Sequence, residues 1–186
     1  GTSGGWCLAA VVHDVAVTNV TPSKTVVGQG YSVSINVTVA NQGGSTETFN
    51  VTVYADLVLP IGDEITIGTQ TVVNLLVGAN KTLTYVWNTI GVAKGNYTIS
   101  AYAWPVPGET DTTDNTLTDG TIVVTIPGDV DGDFDVDIYD VVKICGIYGA
   151  KKGDPNYVPN RDINCDGKID IYDVVIACSH YGQSDP

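Results

Sequence analysis

The stretch Tyr31–Asn41, YSVSINVTVAN, alternates apolar and polar residues almost without a break. Successive side chains of a β-strand point to opposite faces, so Tyr31, Val33, Ile35, Val37 and Val39 share one side and their polar neighbours the other. Its β-branched residues suit a pleated, half-buried surface. The same pattern recurs outward from it, near 13–20, 30–40, 47–56, 65–74, 81–88, 95–104 and 116–126. Turn signals separate these runs, among them Asn41-Gln42-Gly43-Gly44, Leu59-Pro60-Ile61-Gly62-Asp63 and Lys94-Gly95-Asn96. Leu83, Tyr85 and Trp87 share a second apolar face. Seven short antiparallel strands predict an all-β, two-sheet, immunoglobulin-like sandwich over 13–126, preceded by an extension, residues 1–12. Trp87 and Trp104 are expected in its core rather than as platforms for stacking a ligand.

At Ile126-Pro127-Gly128 the pattern changes. Proline ends a strand and glycine frees the backbone. Beyond it the apolar period is helical: Val141, Ile144, Cys145 and Tyr148 fall at i, i+3, i+4 and i+7, as do Val174, Ala177, Cys178 and Tyr181. Residues 127–186 are therefore expected to form a second, small α-helical domain. Its text is duplicated. DVDGDFDVDIYDVVKICGIYG from Asp129 aligns without gaps on DINCDGKIDIYDVVIACSHYG from Asp162, an offset of 33 residues.

The chain carries 21 acidic and 8 basic residues, a formal net charge of −13. That balance disfavours nucleic acid and anionic membrane as partners and favours cations. Asp129, Asp131, Asp133, Asp135, Asp137 and Asp140 crowd into one short stretch, where mutual repulsion opposes folding unless it is neutralised. Their spacing matches a calcium loop. Positions one, three, five, nine and twelve are Asp129, Asp131, Asp133, Asp137 and Asp140 in the first copy, and Asp162, Asn164, Asp166, Asp170 and Asp173 in the second. Ca²⁺ takes six to eight oxygen ligands, and the position-seven carbonyls of Asp135 and Lys168 would complete each shell, giving two Ca²⁺ sites. Mg²⁺ prefers a tighter octahedron with retained water. Position six, where the loop turns at positive φ, is Gly167 in the second copy but Phe134 in the first, at a cost of about 1–2 kcal/mol.

Two resemblances follow from these residues. HDVAVTNVTPSKTVVGQGYSVSINVTVANQG from His13 and YTISAYAWPVPGETDTTDN from Tyr97 are similar to the CARDB family of prokaryotic surface-protein sandwiches, in which an acidic, Asn-containing stretch such as GETDTTDN precedes the last strand. That likeness implies adhesion or spacing. The duplicated loop, Asp at position twelve and one helix after each loop resemble dockerin modules. The pair together points to an archaeal surface protein. In cellulosomal dockerins the residues just before position twelve help choose the cohesin partner; here they are Ile138, Tyr139, Ile171 and Tyr172. An apolar-aromatic pair in place of a polar one puts a true cohesin in doubt and favours a neighbouring β-sandwich as partner. The alternative is that one residue of each pair packs under its own helix.

Four cysteines fit an oxidising compartment. Cys145 and Cys178, at equivalent places on the expected inward faces of the helices, are candidates for one bridge. Cys7 and Cys165 would then pair within the chain or between subunits, and free thiols are the alternative. Zinc is disfavoured, since no CxxC pair exists and His13 and His180 lie far apart. Asn36, Asn50, Asn80 and Asn96 each open an N-x-S/T sequon, and Asn19 opens one weakened by Pro22. No apolar run approaches the roughly 20 residues of a spanning helix, and Gly1 opens the chain as a mature or excised product would.

No nucleophile with its base, no pocketed carboxylate pair and no phosphate-binding glycine loop is recognisable. The expectation is a non-catalytic, extracellular structural or assembly protein at a cell surface. Its docking end and sandwich end would allow a head-to-tail homopolymer; Trp6–Val12 is expected to extend its own first strand, the alternative being strand addition to a neighbour's sheet. The rival is an accessory part of a secreted enzyme complex, binding carbohydrate and plugging into a scaffold.

Overall fold

The computed structural model describes residues 11–58 and 64–185. Eight strands are present among them: β1 (Val15–Pro22), β2 (Val26–Gly28), β3 (Ser32–Asn41), β4 (Glu47–Leu57), β5 (Glu64–Leu75), β6 (Asn80–Asn88), β7 (Gly95–Ala103) and β8 (Thr116–Thr125). They form a three-stranded sheet, β1-β3-β6, facing a five-stranded sheet, β2-β8-β7-β4-β5. The seven expected strands are all there. The eighth, β2, is only three residues long, too short to show a period. It also departs from the antiparallel expectation, pairing parallel to β8. Between Pro22 and Val26 the chain leaves one sheet and joins the other, so β1 edges the first and β2 the second.

The pleat places residues as their alternation requires. Val33, Ile35, Val37 and Val39 of β3 are buried against Val51, Val53, Tyr97, Ile99, Ile122 and Val124 of the opposite sheet. Each such side chain contributes on the order of 1.5–3 kcal/mol of burial. Leu83, Tyr85 and Trp87 of β6 are buried as well. Trp87 meets Tyr97 edge-on at 5.2 Å, and the Tyr85 hydroxyl crosses the sandwich to donate to the Val51 carbonyl at 2.8 Å. Trp104 corrects the expectation of a core residue, being 50 % exposed. Tyr97, Ile99, Ala101 and Ala103 are the inward positions of β7, so the next residue falls on the outer face. There its indole donates to Thr52 Oγ1 at 3.0 Å.

The remainder is less helical than the repeat suggested. It holds two short helices, α1 (Ile138–Cys145) and α2 (Ile171–Ser179), and a 3-10 turn, Pro159–Arg161, in a molecule that is mostly β-sandwich. A second core unites Val130, Ile144, Ala150, Ile163, Ile169 and Ala177. The two halves interlock. Val136 pairs with the segment leaving α2, donating to the Gln183 carbonyl at 2.9 Å and accepting from the Gly182 amide at 2.8 Å. Ile169, its counterpart in the second copy, pairs in the same way with Ala150 and Gly149, which leave α1. Each loop is closed by the exit of the other's helix.

The helix faces match the sequence expectation in part, with Val141, Ile144, Val174 and Ala177 packed on the second core. Asp140 and Asp173 are buried beneath their own loops, which turns Ile144 and Ala177, one turn on, inward as well. Cys145 and Cys178 therefore lie on the exposed side. Tyr148 and Tyr181 are also exposed. The expected Cys145–Cys178 bridge is not formed: Cys145, Cys165 and Cys178 are all free, and Cys7 lies outside the described residues.

Candidate metal centre

Loop one runs from Asp129 to Asp140 and is shaped by its own carboxylates. Asp129 accepts from the Gly132 amide at 2.6 Å and the Phe134 amide at 2.9 Å. Asp140 accepts from the amides of Val130 and Asp137, both at 2.9 Å. Asp137 in turn caps α1, accepting from Tyr139 at 2.6 Å. Loop two repeats this. Asp162 accepts from Asp166 at 3.1 Å and Gly167 at 2.9 Å. Asp173 accepts from Ile163 at 2.8 Å and Asp170 at 2.9 Å, and Asp170 caps α2. Positions one and twelve of both loops are thereby drawn inward and buried.

Two groups of carboxylates converge with ligand atoms within 4.8 Å of one another: Asp129, Asp131 and Asp133, and Asp135, Asp137 and Asp140. Either group could hold a metal ion. Both belong to loop one among the described residues. Loop two has Asn164 and Lys168 where loop one has Asp131 and Asp135. Asp135 was expected as a ligand through its carbonyl alone, but its side chain joins the second group and its Oδ1 is buried with no hydrogen-bond partner. Loss of water, then the charges of Asp133 and Asp137, push the Asp135 carboxyl above its ordinary value. Burial does the same at Asp140 and Asp173. Those shifts mark carboxylates that lack a counter-charge. A partial one is present at Asp131, which pairs with Lys143; Ile176 replaces that lysine in the second copy.

The backbone explains how loop one tolerates phenylalanine at position six. Phe134 has φ +70° and Gly167 +85°, as expected. Position four is also left-handed in both copies, Gly132 at φ +81° and Cys165 at +62°. Each loop thus has one glycine and one strained residue, in opposite order. A Cβ on Gly132 would lie 3.2 Å from Val26 of β2, which reserves position four for glycine in loop one. In loop two the Cys165 thiol reaches the Ser32 carbonyl at 3.2 Å. Position four is one of the points at which each loop touches the sandwich.

The sandwich itself has a relative of known family. Residues 12–119, more than half the chain, match the CARDB family model. The chain belongs to the CARDB family. No curated protein matches it. Among solved structures, the CARDB domain of a Pyrococcus furiosus protein, crystallised in complex with di-metal ions, is 25% identical with a TM-score of 0.48, covering 62% of this chain and 96% of that one. A β-glucosidase from Erythrobacter marinus is 15% identical with a TM-score of 0.48, covering 60% of this chain but 15% of that one. A Listeria innocua β-glucosidase in complex with glucose is 12% identical with a TM-score of 0.44, covering 61% and 16%.

The CARDB sandwich holds both loops at their first residue. Thr125, the last residue of β8, donates to Asp129 Oδ2 at 2.6 Å. Lys24, buried between β1 and β2, donates to the Asp162 carbonyl at 2.9 Å. Asn160 adds bonds to the amide of Thr25 at 2.9 Å and to its hydroxyl at 3.0 Å, and Lys94 pairs with Asp185 at 2.5 Å. All four candidate docking residues are exposed: Ile138 by 51%, Tyr139 by 69%, Ile171 by 53% and Tyr172 by 65%. The packing of one of each pair beneath its own helix is not what occurs. Val142 and Tyr148 are exposed too, as are their counterparts Val175 and Tyr181 in the second copy. Asn36, Asn50, Asn80 and Asn96 of the sequons are exposed on strands of the sandwich. Val11 and Val12 are exposed, and the rest of the Trp6–Val12 segment lies outside the described residues. No helix among the described residues is long and apolar enough to cross a membrane.

Proposed function

We propose that this chain is a non-catalytic, extracellular structural subunit whose duplicated acidic loops bind Ca²⁺ and whose helix pair docks onto the β-sandwich of a neighbouring subunit. The observation that carries the reading is the repeated exposed face of Ile138, Tyr139, Val142, Ile171, Tyr172 and Val175, set directly on the two acidic loops. Ca²⁺ is the cation that suits six or more oxygens on a twelve-residue loop. The dockerin-like arrangement supports it: a capping aspartate, a buried aspartate at position twelve and a reciprocal closure of each loop by the other half. Calcium would offset the charge of loop one, where six carboxylates face one lysine, and couple both loops through Asp129 and Asp162 to the sandwich. The function is then a calcium-stiffened joint. A subunit with its docking face at one end and a sandwich at the other associates head to tail and grows into an open fibre or surface layer. The exposed sequon asparagines are compatible with glycans on such a surface.

Electron microscopy of the purified chain in Ca²⁺ and in EDTA tests this. Fibres in Ca²⁺ that disperse in EDTA are expected, and are lost in a variant carrying Ile138→Ser, Tyr139→Ser, Ile171→Ser and Tyr172→Ser; monomers under every condition would refute assembly. The exposed Trp104, beside Tyr102 at 6.2 Å, favours a second reading, an accessory carbohydrate-binding module. Saturable binding on a glycan array that Trp104→Ala abolishes would select it.

A further inference from the structure

At the opposite end of β8 from the acidic loops, three side-chain oxygens are buried without a hydrogen-bond partner: Asp14 Oδ1, Asp114 Oδ1 and Asn115 Oδ1. They belong to one corner of the sandwich. Asp14 precedes β1, and Asp114 and Asn115 precede β8. The Val17 amide donates to the Asp114 carbonyl at 2.9 Å, which ties the starts of these two strands together. Glu109 sits behind them as a hub, accepting from the amides of Val15 and Val106, each at 2.8 Å, and from Asn115 Nδ2 at 3.2 Å.

Asn115 is 0% exposed. Its amide orientation is set by its donor end, which also bonds the Ala103 carbonyl at 3.1 Å, so the end left unpartnered is the oxygen. Every unmet group here is an acceptor. An unpaired buried acceptor costs about 1–3 kcal/mol, and three in one corner beside clustered carboxylates would be a large penalty for no gain. Burial, and then the charges of Asp114, Glu109 and Asp111, raise the Asp14 carboxyl above its ordinary value. The nearby His13 is engaged elsewhere, with Glu47 at 2.6 Å. What the corner lacks is a positive charge that accepts several oxygens at once.

We propose that Asp14, Asp114 and Asn115 hold a hard divalent cation of the Ca²⁺ class at the start of β1, with Glu109 as the positioning residue that fixes the Asn115 amide. Two carboxylates and a side-chain amide oxygen form a donor set typical of such ions. The site is independent of the acidic loops, since β8 spans ten residues between them, about 33 Å of extended chain. It would pin the start of β1 to the segment 108–115.

The test is calorimetric titration of the full chain with CaCl₂ in three forms: unaltered, with the loop carboxylates Asp129, Asp133, Asp135, Asp162 and Asp166 changed to Asn so that both acidic groups of loop one are broken, and with Asp14→Asn and Asp114→Asn added to that. The loop-altered chain should retain one binding equivalent, and the added pair should weaken it at least tenfold. Loss of the loop equivalents alone, or their absence from the outset, bears on the loops and leaves the residual equivalent to be scored separately. Melting in EDTA guards against simple misfolding: Asp14→Asn with Asp114→Asn, which removes repulsion, should melt no lower than the unaltered chain yet lose part of the rise that Ca²⁺ produces. No residual equivalent, a residual equivalent indifferent to the pair, or a lower melting point of the pair in EDTA overturns the proposal.

Discussion

Gly128 and Gly167 both have positive φ, +110° and +85°, but their surroundings differ. A Cβ on Gly128 would lie 2.7 Å from Ala177 Cα, whereas one on Gly167 meets only Lys152 Cβ at 3.7 Å. Gly167→Ala should therefore cost about 1 kcal/mol of backbone strain, and Gly128→Ala about 3 kcal/mol once overpacking is added. Urea unfolding of the two variants in the same buffer measures the order, and an equal cost would remove the close approach at Gly128 from the account. At this scale the left-handed turn at Phe134 was legible, because position six of the loop is fixed by spacing. The second strained position was not. Whether position four takes Gly132 or Cys165 depends on Val26 and Ser32, a hundred residues or more away in the chain, and no local pattern carries that.

Among elements, β6 is bound to the facing sheet by the Tyr85 hydroxyl, which donates to the Val51 carbonyl, and by the Gln70 side chain of β5, which donates to the Thr84 carbonyl at 2.8 Å. Burial pushes the Tyr85 phenol up to about 12 from 10.0. A raised folded-state value means that the phenol's contribution is whole below pH 10 and is lost as pH rises through 12, since the unfolded chain ionises first. Stability should fall across that window. Tyr85→Phe should flatten the fall while lowering stability near neutrality by about 1 kcal/mol for the lost hydrogen bond; fluorescence-monitored unfolding from pH 7 to 11.5 reads both, and an unchanged alkaline slope would contradict the assignment. The strands were legible because alternation sets their faces, down to the inward Val33 to Val39. The helix faces were legible in part: Val141, Ile144, Val174 and Ala177 pack on the second core as their spacing requires, but Cys145, Tyr148, Cys178 and Tyr181 are exposed, because α1 and α2 carry apolar residues on more than one side. Asp140 and Asp173, polar yet buried, decide their rotation, and a periodicity of apolar residues cannot include them.

For the whole molecule, the sandwich and the helix pair have separate cores joined mainly by polar contacts, with Tyr31 packed against both. Asn160→Ala removes three bonds to Thr25 and Val26, and Lys24→Met removes the buried bond to Asp162. The double variant should split a single calorimetric melting transition into two, with the helix pair melting first; one unchanged transition would mean that the joint lies elsewhere. Substitution of the exposed Ile138 and Tyr172 by serine should change stability by less than about 0.5 kcal/mol, as checked by the same scan, because neither is packed. The division near Pro127 was readable from the change of period. The joint was not, since Lys24 and Asn160 carry no pattern and meet only in the folded chain.

In the proposed function, Ca²⁺ in the two acidic loops orders the helix pair and its attachment to the sandwich. Hydrogen–deuterium exchange of the full chain in Ca²⁺ and in EDTA tests it most directly. Strong calcium-dependent protection of 129–149 and 162–182 is expected, together with Lys24–Gly28 at the joint, while the interior of β3 exchanges slowly in both conditions. Indistinguishable exchange of the two loops with and without Ca²⁺ would contradict it.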